Sequence, residues 1–122
     1  MKTLRTILVA SAMAAAILAS PFAAAHAGLK NSDPVAGSIL EMAPKEIMLT
    51  VNEKVEATFS SIVLTNGEGK AVATSKATVD ETNPAIMRVD VPTLSTGAYS
   101  VTWVAVGGDG HRRKGDFKFT VK

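Results

Sequence analysis

The sequence predicts an all-β sandwich, and three observations lead to this fold class. Apolar side chains recur at every second position in five separate runs between residues 47 and 121. Residues typical of turns, chiefly Gly, Pro, Asn and Asp, divide these runs at short intervals. After residue 25, no segment carries an apolar stripe at helical spacing. Short alternating strands separated by turns are typical of two sheets packed face to face.

Each alternating run places its apolar side chains on one face of a half-buried strand. In chain order, these side chains are Ile47, Leu49 and Val51; Ile62 and Leu64; Met87, Val89 and Val91; Tyr99, Val101, Trp103 and Ala105; and Phe117, Phe119 and Val121. Residues 94–99 resemble the corner that precedes a late strand in immunoglobulin-like sandwiches. In that corner a tyrosine hydroxyl bonds back to nearby backbone, so we expect Tyr99 to do the same.

Residues 1–25 have the features of a secretory signal peptide. Lys2 and Arg5 give a positive start, and an apolar run of about a dozen residues follows. Because a bilayer-spanning helix needs about 20 residues, a cleaved leader is favoured over a retained membrane anchor. The A-x-A cleavage rule allows cutting before His26 or before Gly28, and the rule alone does not choose between them.

The remaining domain, residues 26–122, has a different composition from the whole chain. The 122 residues include 13 basic and 11 acidic side chains. The two extra basic residues lie in the leader, so the domain is formally neutral, which argues against nucleic-acid binding. The absence of cysteine excludes disulfides, thiolate metal sites and a cysteine nucleophile. About 100 residues can fold on packing alone, and we expect a monomer.

The chain has two histidines, and both occupy positions suited to one metal site. As a mature N-terminus, His26 would offer a free α-amine and its ring Nδ1, which together can close a chelate ring. His111 ends the segment Asp109-Gly110-His111, and side chains two residues apart share a face if strand geometry continues. Three nitrogens and one carboxylate oxygen form a tetragonal set that favours Cu(II). The simpler interpretation is an incidental histidine and a common turn dipeptide.

Over nearly its whole length, the domain resembles the CopC family of periplasmic copper-resistance proteins. The matching segments are residues 26–29, 32–37, 43–45, 49–55, 97–103, 109–111, 115 and 117–121. The most specific feature is the Asp-Gly-His motif, which lies between a Tyr-x-Val-x-Trp strand and a final Phe-x-Phe-x-Val strand. A histidine at a cleavage point strengthens the resemblance.

The resemblance implies an immunoglobulin-like Greek-key β-sandwich of about seven strands that binds Cu(II) in the periplasm. It implies cleavage before His26, and it gives the copper ligands as His26, Asp109 and His111. Glu53 lies in a matching segment and would accept a hydrogen bond from a ligand, or would be an exposed glutamate at a strand end. The implied partners are the copper ion and either an inner-membrane copper transporter or another periplasmic copper protein.

The methionines depart from part of the family pattern. Some members carry a second site, for Cu(I), in a methionine-rich hairpin, and the corresponding residues 64–70 contain no methionine. We therefore expect a protein that binds Cu(II) alone. Met87 fits a core face, and Met42 and Met48 are expected to serve packing. Arg112 stands where proline often follows the histidine.

Three functions remain open from the sequence. The first is a binding protein, not an enzyme, that buffers or transfers copper or gives resistance to it. The second is a copper-dependent oxidative enzyme, but exposed aromatics are scarce and a carboxylate ligand would occupy a position that oxygen chemistry needs open. The third is a structural or interaction module with incidental metal binding, because sandwiches host many unrelated functions.

Overall fold

The computed structural model describes residues 28–122; the predicted leader, residues 1–25, and His26 lie outside this range. Its strands are β1 (Leu29–Asp33), β2 (Ile39–Leu40), β3 (Glu46–Val51), β4 (Ser61–Thr65), β5 (Ala71–Val72), β6 (Thr78–Val79), β7 (Ile86–Asp90), β8 (Gly97–Val106) and β9 (Arg112–Val121). A 3-10 helix, Ala57–Phe59, precedes β4. Within the described range, no helix has the length and apolar character to cross a membrane.

The strands form two sheets that enclose one hydrophobic core. One sheet has the order β1-β3-β7-β6 and the other has the order β2-β9-β8-β4-β5. The paired strands are antiparallel except β2 and β9. The core is built from the apolar side chains of the five alternating runs, and Ile47, Leu49, Val101 and Trp103 are fully buried within it. The predicted all-β, immunoglobulin-like sandwich is confirmed.

The strand count differs from the expected seven, because residues 28–122 contain nine strands. Three of them, β2, β5 and β6, pair over two residues each. Two residues are too few for a period of two to be visible in the sequence. The sequence pattern also did not reveal strand β1, since a β-bulge between Leu29 and Asn31 interrupts its alternation and Ser32 is its one buried residue.

Tyr99 forms the predicted corner. Its hydroxyl donates a hydrogen bond to the Ser95 carbonyl at 2.8 Å, and its ring stacks on Phe119 with centroids 5.5 Å apart. The side chain is 5% exposed, so the hydroxyl needs a partner within the protein. The corner ties the start of β8 to the segment before it.

We expect Tyr99→Phe to lower the free energy of unfolding by about 1 kcal/mol, because the hydrogen bond to the Ser95 carbonyl is lost while the ring packing remains. Urea denaturation followed by circular dichroism measures this change. Ser95→Ala is the matched comparison, since it keeps the backbone carbonyl and removes only the longer contact of 3.3 Å between Ser95 Oγ and the Tyr99 hydroxyl. It should change stability by less than about 0.5 kcal/mol. Equal midpoints for Tyr99→Phe and the parent protein would contradict the expectation.

Met42, Met48 and Met87 differ in how far the structure buries them. Met87 is fully buried in the core, as predicted. Met42 is 82% exposed, so the expectation that it packs is wrong. It lies in the connection that follows the two-residue strand β2, where the backbone bends and the side chain faces solvent. Met48 is half-buried on β3.

The longest feature of the fold is the hairpin of β8 and β9, which pair over ten residues each. Its strands carry Tyr99, Trp103 and Phe117 into the core. Its closing loop, residues 107–111, contains the Asp-Gly-His motif. The hairpin thus places the motif at one end of the sandwich, on a rigid support.

Candidate metal centre

The loop that carries the motif is a tight turn closed by backbone hydrogen bonds. The Gly107 N–H donates to the His111 carbonyl at 2.9 Å, and the Gly110 N–H donates to the Gly107 carbonyl at 3.0 Å. Gly110 has a φ of +84°, a conformation that residues with a side chain rarely adopt. Glycine between Asp109 and His111 therefore allows the chain to turn back within the motif.

Asp109 and His111 are brought into contact by this turn. The His111 N–H donates to Asp109 Oδ1 at 3.0 Å, and His111 Nδ1 lies 3.3 Å from Asp109 Oδ2. The predicted proximity of the two side chains is thus observed. Its cause differs from the prediction, because the chain turns here instead of continuing as a strand, and the aspartate folds over the following backbone.

The contact has consequences for the chemistry of both groups. The pKa of Asp109 is held below its usual value of 3.8, chiefly because the His111 backbone N–H donates to the carboxylate, with a further contribution from the imidazole. The carboxylate is therefore charged at neutral pH. An Nδ1 proton shared with Asp109 leaves Nε2 of His111 as the open lone pair. The Asp109 side chain is 58% exposed and the His111 side chain is 74% exposed, so an ion can reach both.

The connection between β3 and β4 runs beside this loop. Val55 forms an antiparallel bridge with Gly107, and the Glu56 N–H donates to the Val106 carbonyl at 2.8 Å. A methyl group placed on Gly107 would lie 3.0 Å from Asp109 Oδ1 and 3.2 Å from Glu53 Oε1. The Asp109 and Glu53 carboxylates therefore both lie against Gly107, where only glycine leaves room for them.

Glu53 also reaches the first residues of β9. Its Oε1 lies 3.3 Å from Nη2 of Arg113, and both side chains are partly buried. From the sequence, Glu53 was a candidate with an exposed strand-end glutamate as the alternative, and Arg113 was not a candidate. The signal was present in the strand period, because Arg113 shares its face of β9 with Phe117 and Phe119.

The beginning of the described chain lies at the same end of the sandwich. The Gly28 carbonyl accepts a hydrogen bond from the Asn52 N–H at 3.2 Å. Gly28 also packs on Arg113 so closely that an added methyl group would lie 2.8 Å from Arg113 Cδ. Gly28 has a φ of +88°, so both its conformation and its surroundings require glycine. His26, two residues earlier, lies outside the described residues.

Within residues 28–122, no group of three or more His, Asp or Glu side chains converges closely enough to hold a metal ion. This part of the chain contributes the Asp109–His111 pair, with Glu53 nearby. Any metal centre here would therefore need donors from elsewhere, such as those predicted at His26.

Fold and site together define a small β-sandwich domain that presents an exposed carboxylate–imidazole pair on its longest hairpin. The CopC domain family matches residues 29–122, and the chain belongs to this family. Protein YobA of Escherichia coli strain K12 is 33% identical over 121 residues, which cover 98% of each chain. Copper resistance protein C of Xanthomonas campestris pv. juglandis is 35% identical over 125 residues, covering 97% of each.

The solved structures agree with this assignment. The crystal structure of CopC from Methylosinus trichosporium OB3b superposes with a TM-score of 0.74 at 30% identity. The superposition covers 78% of this chain and 92% of that one. The fold is therefore that of the CopC family.

Proposed function

We propose that the chain is a periplasmic copper-binding protein that holds one Cu(II) ion through His26, Asp109 and His111. The observation that carries the proposal is the contact between Asp109 and His111 on a loop at the same end of the sandwich as Gly28, the first described residue. Membership of a family that includes a copper resistance protein supports copper as the ion. Buffering, transfer and resistance are the roles that such binding serves.

The reach of the chain supports His26 as the further source of donors. Two residues span at most about 7 Å. Gly28 packs on Arg113, which follows His111 by two residues and contacts Glu53 at 3.3 Å. A histidine two residues before Gly28 therefore starts from the correct end of the sandwich. Export and cleavage before His26 would supply its free amine.

The donor set fits Cu(II). Imidazole and amine nitrogens with one carboxylate oxygen suit a tetragonal ion, and Cu(II) has the highest affinity among the divalent first-row metals for such ligands. The carboxylates of Asp109 and Glu53 both lie against Gly107, so acidic oxygens are gathered beside the proposed ligands. Copper bound there would supply its own charge, which the acidic groups offset.

The exposure of the site supports a transfer or buffering role. Asp109 and His111 lie at the surface of a closing loop, so a partner could approach the ion directly. An inner-membrane copper transporter or another periplasmic copper protein is the proposed partner. Binding without catalysis remains the favoured role, because the Asp109 carboxylate would fill a position that oxygen chemistry requires.

Titration of the mature protein with Cu(II) tests the proposal. We expect a stoichiometry of one ion and quenching of the fluorescence of Trp103, which is buried on β8 about 13 Å before Gly107 along the strand. Isothermal titration calorimetry gives the stoichiometry independently. Zn(II) serves as the comparison ion and should bind more weakly. Absence of tight, one-to-one Cu(II) binding would overturn the proposed function.

A further inference from the structure

We infer that Arg113 is a positioning residue that competes with copper for the Glu53 carboxylate and so limits how tightly the site holds Cu(II). The inference rests on the proposed function and adds a determinant of affinity to it. Arg113 is not among the proposed ligands, and its guanidinium is cationic at all physiological pH values. Its effect on the ion would be indirect, through Glu53 and through its own charge.

The placement of Arg113 sets it apart from the neighbouring basic residues. Arg112 and Lys114 are exposed on the outer face of β9, whereas Arg113 is partly buried on the inner face. Its Nη2 lies 3.3 Å from Glu53 Oε1, and its aliphatic carbons pack on Gly28. Arg113 therefore joins three parts of the chain: the first described residue, the β3–β4 connection and the final strand.

The Glu53 carboxylate is the group for which Arg113 and the copper ion would compete. Its Oε1 faces Arg113 and also lies 3.2 Å from the position of a methyl group on Gly107. Asp109 Oδ1 approaches that same position to 3.0 Å. The Glu53 carboxylate thus lies between a permanent cation and Asp109, and an ion bound by Asp109 would attract it.

The physical consequence follows from the charges. While Arg113 holds Glu53, one acidic oxygen is withheld from the ion and a positive charge remains close to it. Both effects weaken the attraction for a divalent cation. Without the guanidinium, Glu53 would add a carboxylate oxygen to the tetragonal nitrogen and oxygen set. A weaker hold also favours release of the ion to a partner.

The test compares Cu(II) affinities of full mature chains by competition with a chromophoric chelator. We expect Arg113→Gln to bind Cu(II) about tenfold more tightly, equivalent to about 1.4 kcal/mol. Glutamine retains the carbon atoms up to Cδ, so the contact with Gly28 is preserved. The electron paramagnetic resonance spectrum of the variant should shift towards greater oxygen coordination. Arg112→Gln is the matched control, and it should change the affinity by less than about threefold.

The double variant Glu53→Gln/Arg113→Gln decides whether Arg113 acts through Glu53. We expect most of the affinity gained in Arg113→Gln to disappear when Glu53 is also replaced, and only the smaller gain from losing the charge of Arg113 to remain. An effect no larger than that of Arg112→Gln, an unchanged spectrum, or a gain that persists in full without Glu53 would overturn the inference. These outcomes differ from failure of the proposed function, in which the parent protein itself would not bind Cu(II) tightly.

Discussion

Replacing His111 by alanine is expected to weaken Cu(II) binding by at least about a hundredfold. Loss of a group that merely supports a ligand typically lowers metal affinity by about 10- to 100-fold, and a direct ligand should lie at or beyond the upper end. His111 would contribute one nitrogen through Nε2, and its Nδ1 contact would also hold the Asp109 carboxylate in place. The variant therefore removes one ligand and loosens a second.

Competition titration measures the loss in His111→Ala, and thermal unfolding of the metal-free protein provides the necessary control. Because the His111 side chain is 74% exposed, its removal should leave the metal-free melting temperature nearly unchanged. Cu(II) should raise the melting temperature of the parent protein more than that of the variant, since tighter binding to the folded state gives more stabilisation. Equal copper affinities would show that His111 is not a ligand.

The core could be predicted because apolar side chains at every second position of a strand are the ones that face the core. Val101, Trp103 and Phe117 alternate with polar residues, and the structure buries all three. Strands β2 and β5 lacked this signal because each pairs over two residues, with its place set by longer neighbours. Such strands are a product of tertiary structure, which local sequence does not encode.

The candidate site was predictable in part, for a similar reason. Asp109 and His111 are close in sequence, so their contact follows from one glycine-containing turn. Arg113 and Glu53 are far apart in the chain, and their ion pair depends on how the β3–β4 connection packs beside the hairpin. Arg113 was therefore not singled out from the neighbouring Arg112 and Lys114, although the structure places it on the inner face of β9. The predicted ligation by His26 remains a prediction.

An additional residue before His26 is expected to weaken Cu(II) binding by about a hundredfold to ten-thousandfold. This is the range by which the affinity of two linked binding groups exceeds that of either group alone. Retaining Ala25 converts the free amine of His26 into an amide, which loses its lone pair to the peptide bond. The imidazole remains, but it can no longer close a chelate ring with an amine of the same residue. This change leaves every side chain of the domain in place.

The position of the added residue provides a sharp control for this experiment. The backbone N–H of Lys122 donates to the Leu40 carbonyl at 2.8 Å, and Lys122 follows the end of β9 opposite the loop of Asp109 and His111. One alanine added after Lys122 should leave Cu(II) affinity unchanged.

A protein that begins at Gly28 should bind as weakly as the Ala25-extended form or more weakly, because it lacks both nitrogens of His26. If the extended and mature proteins bind Cu(II) equally, the N-terminal chelate is wrong even if His111 remains essential. Intact mass of the protein recovered from cells tests the predicted cleavage, and a start at His26 is the result that the chelate requires.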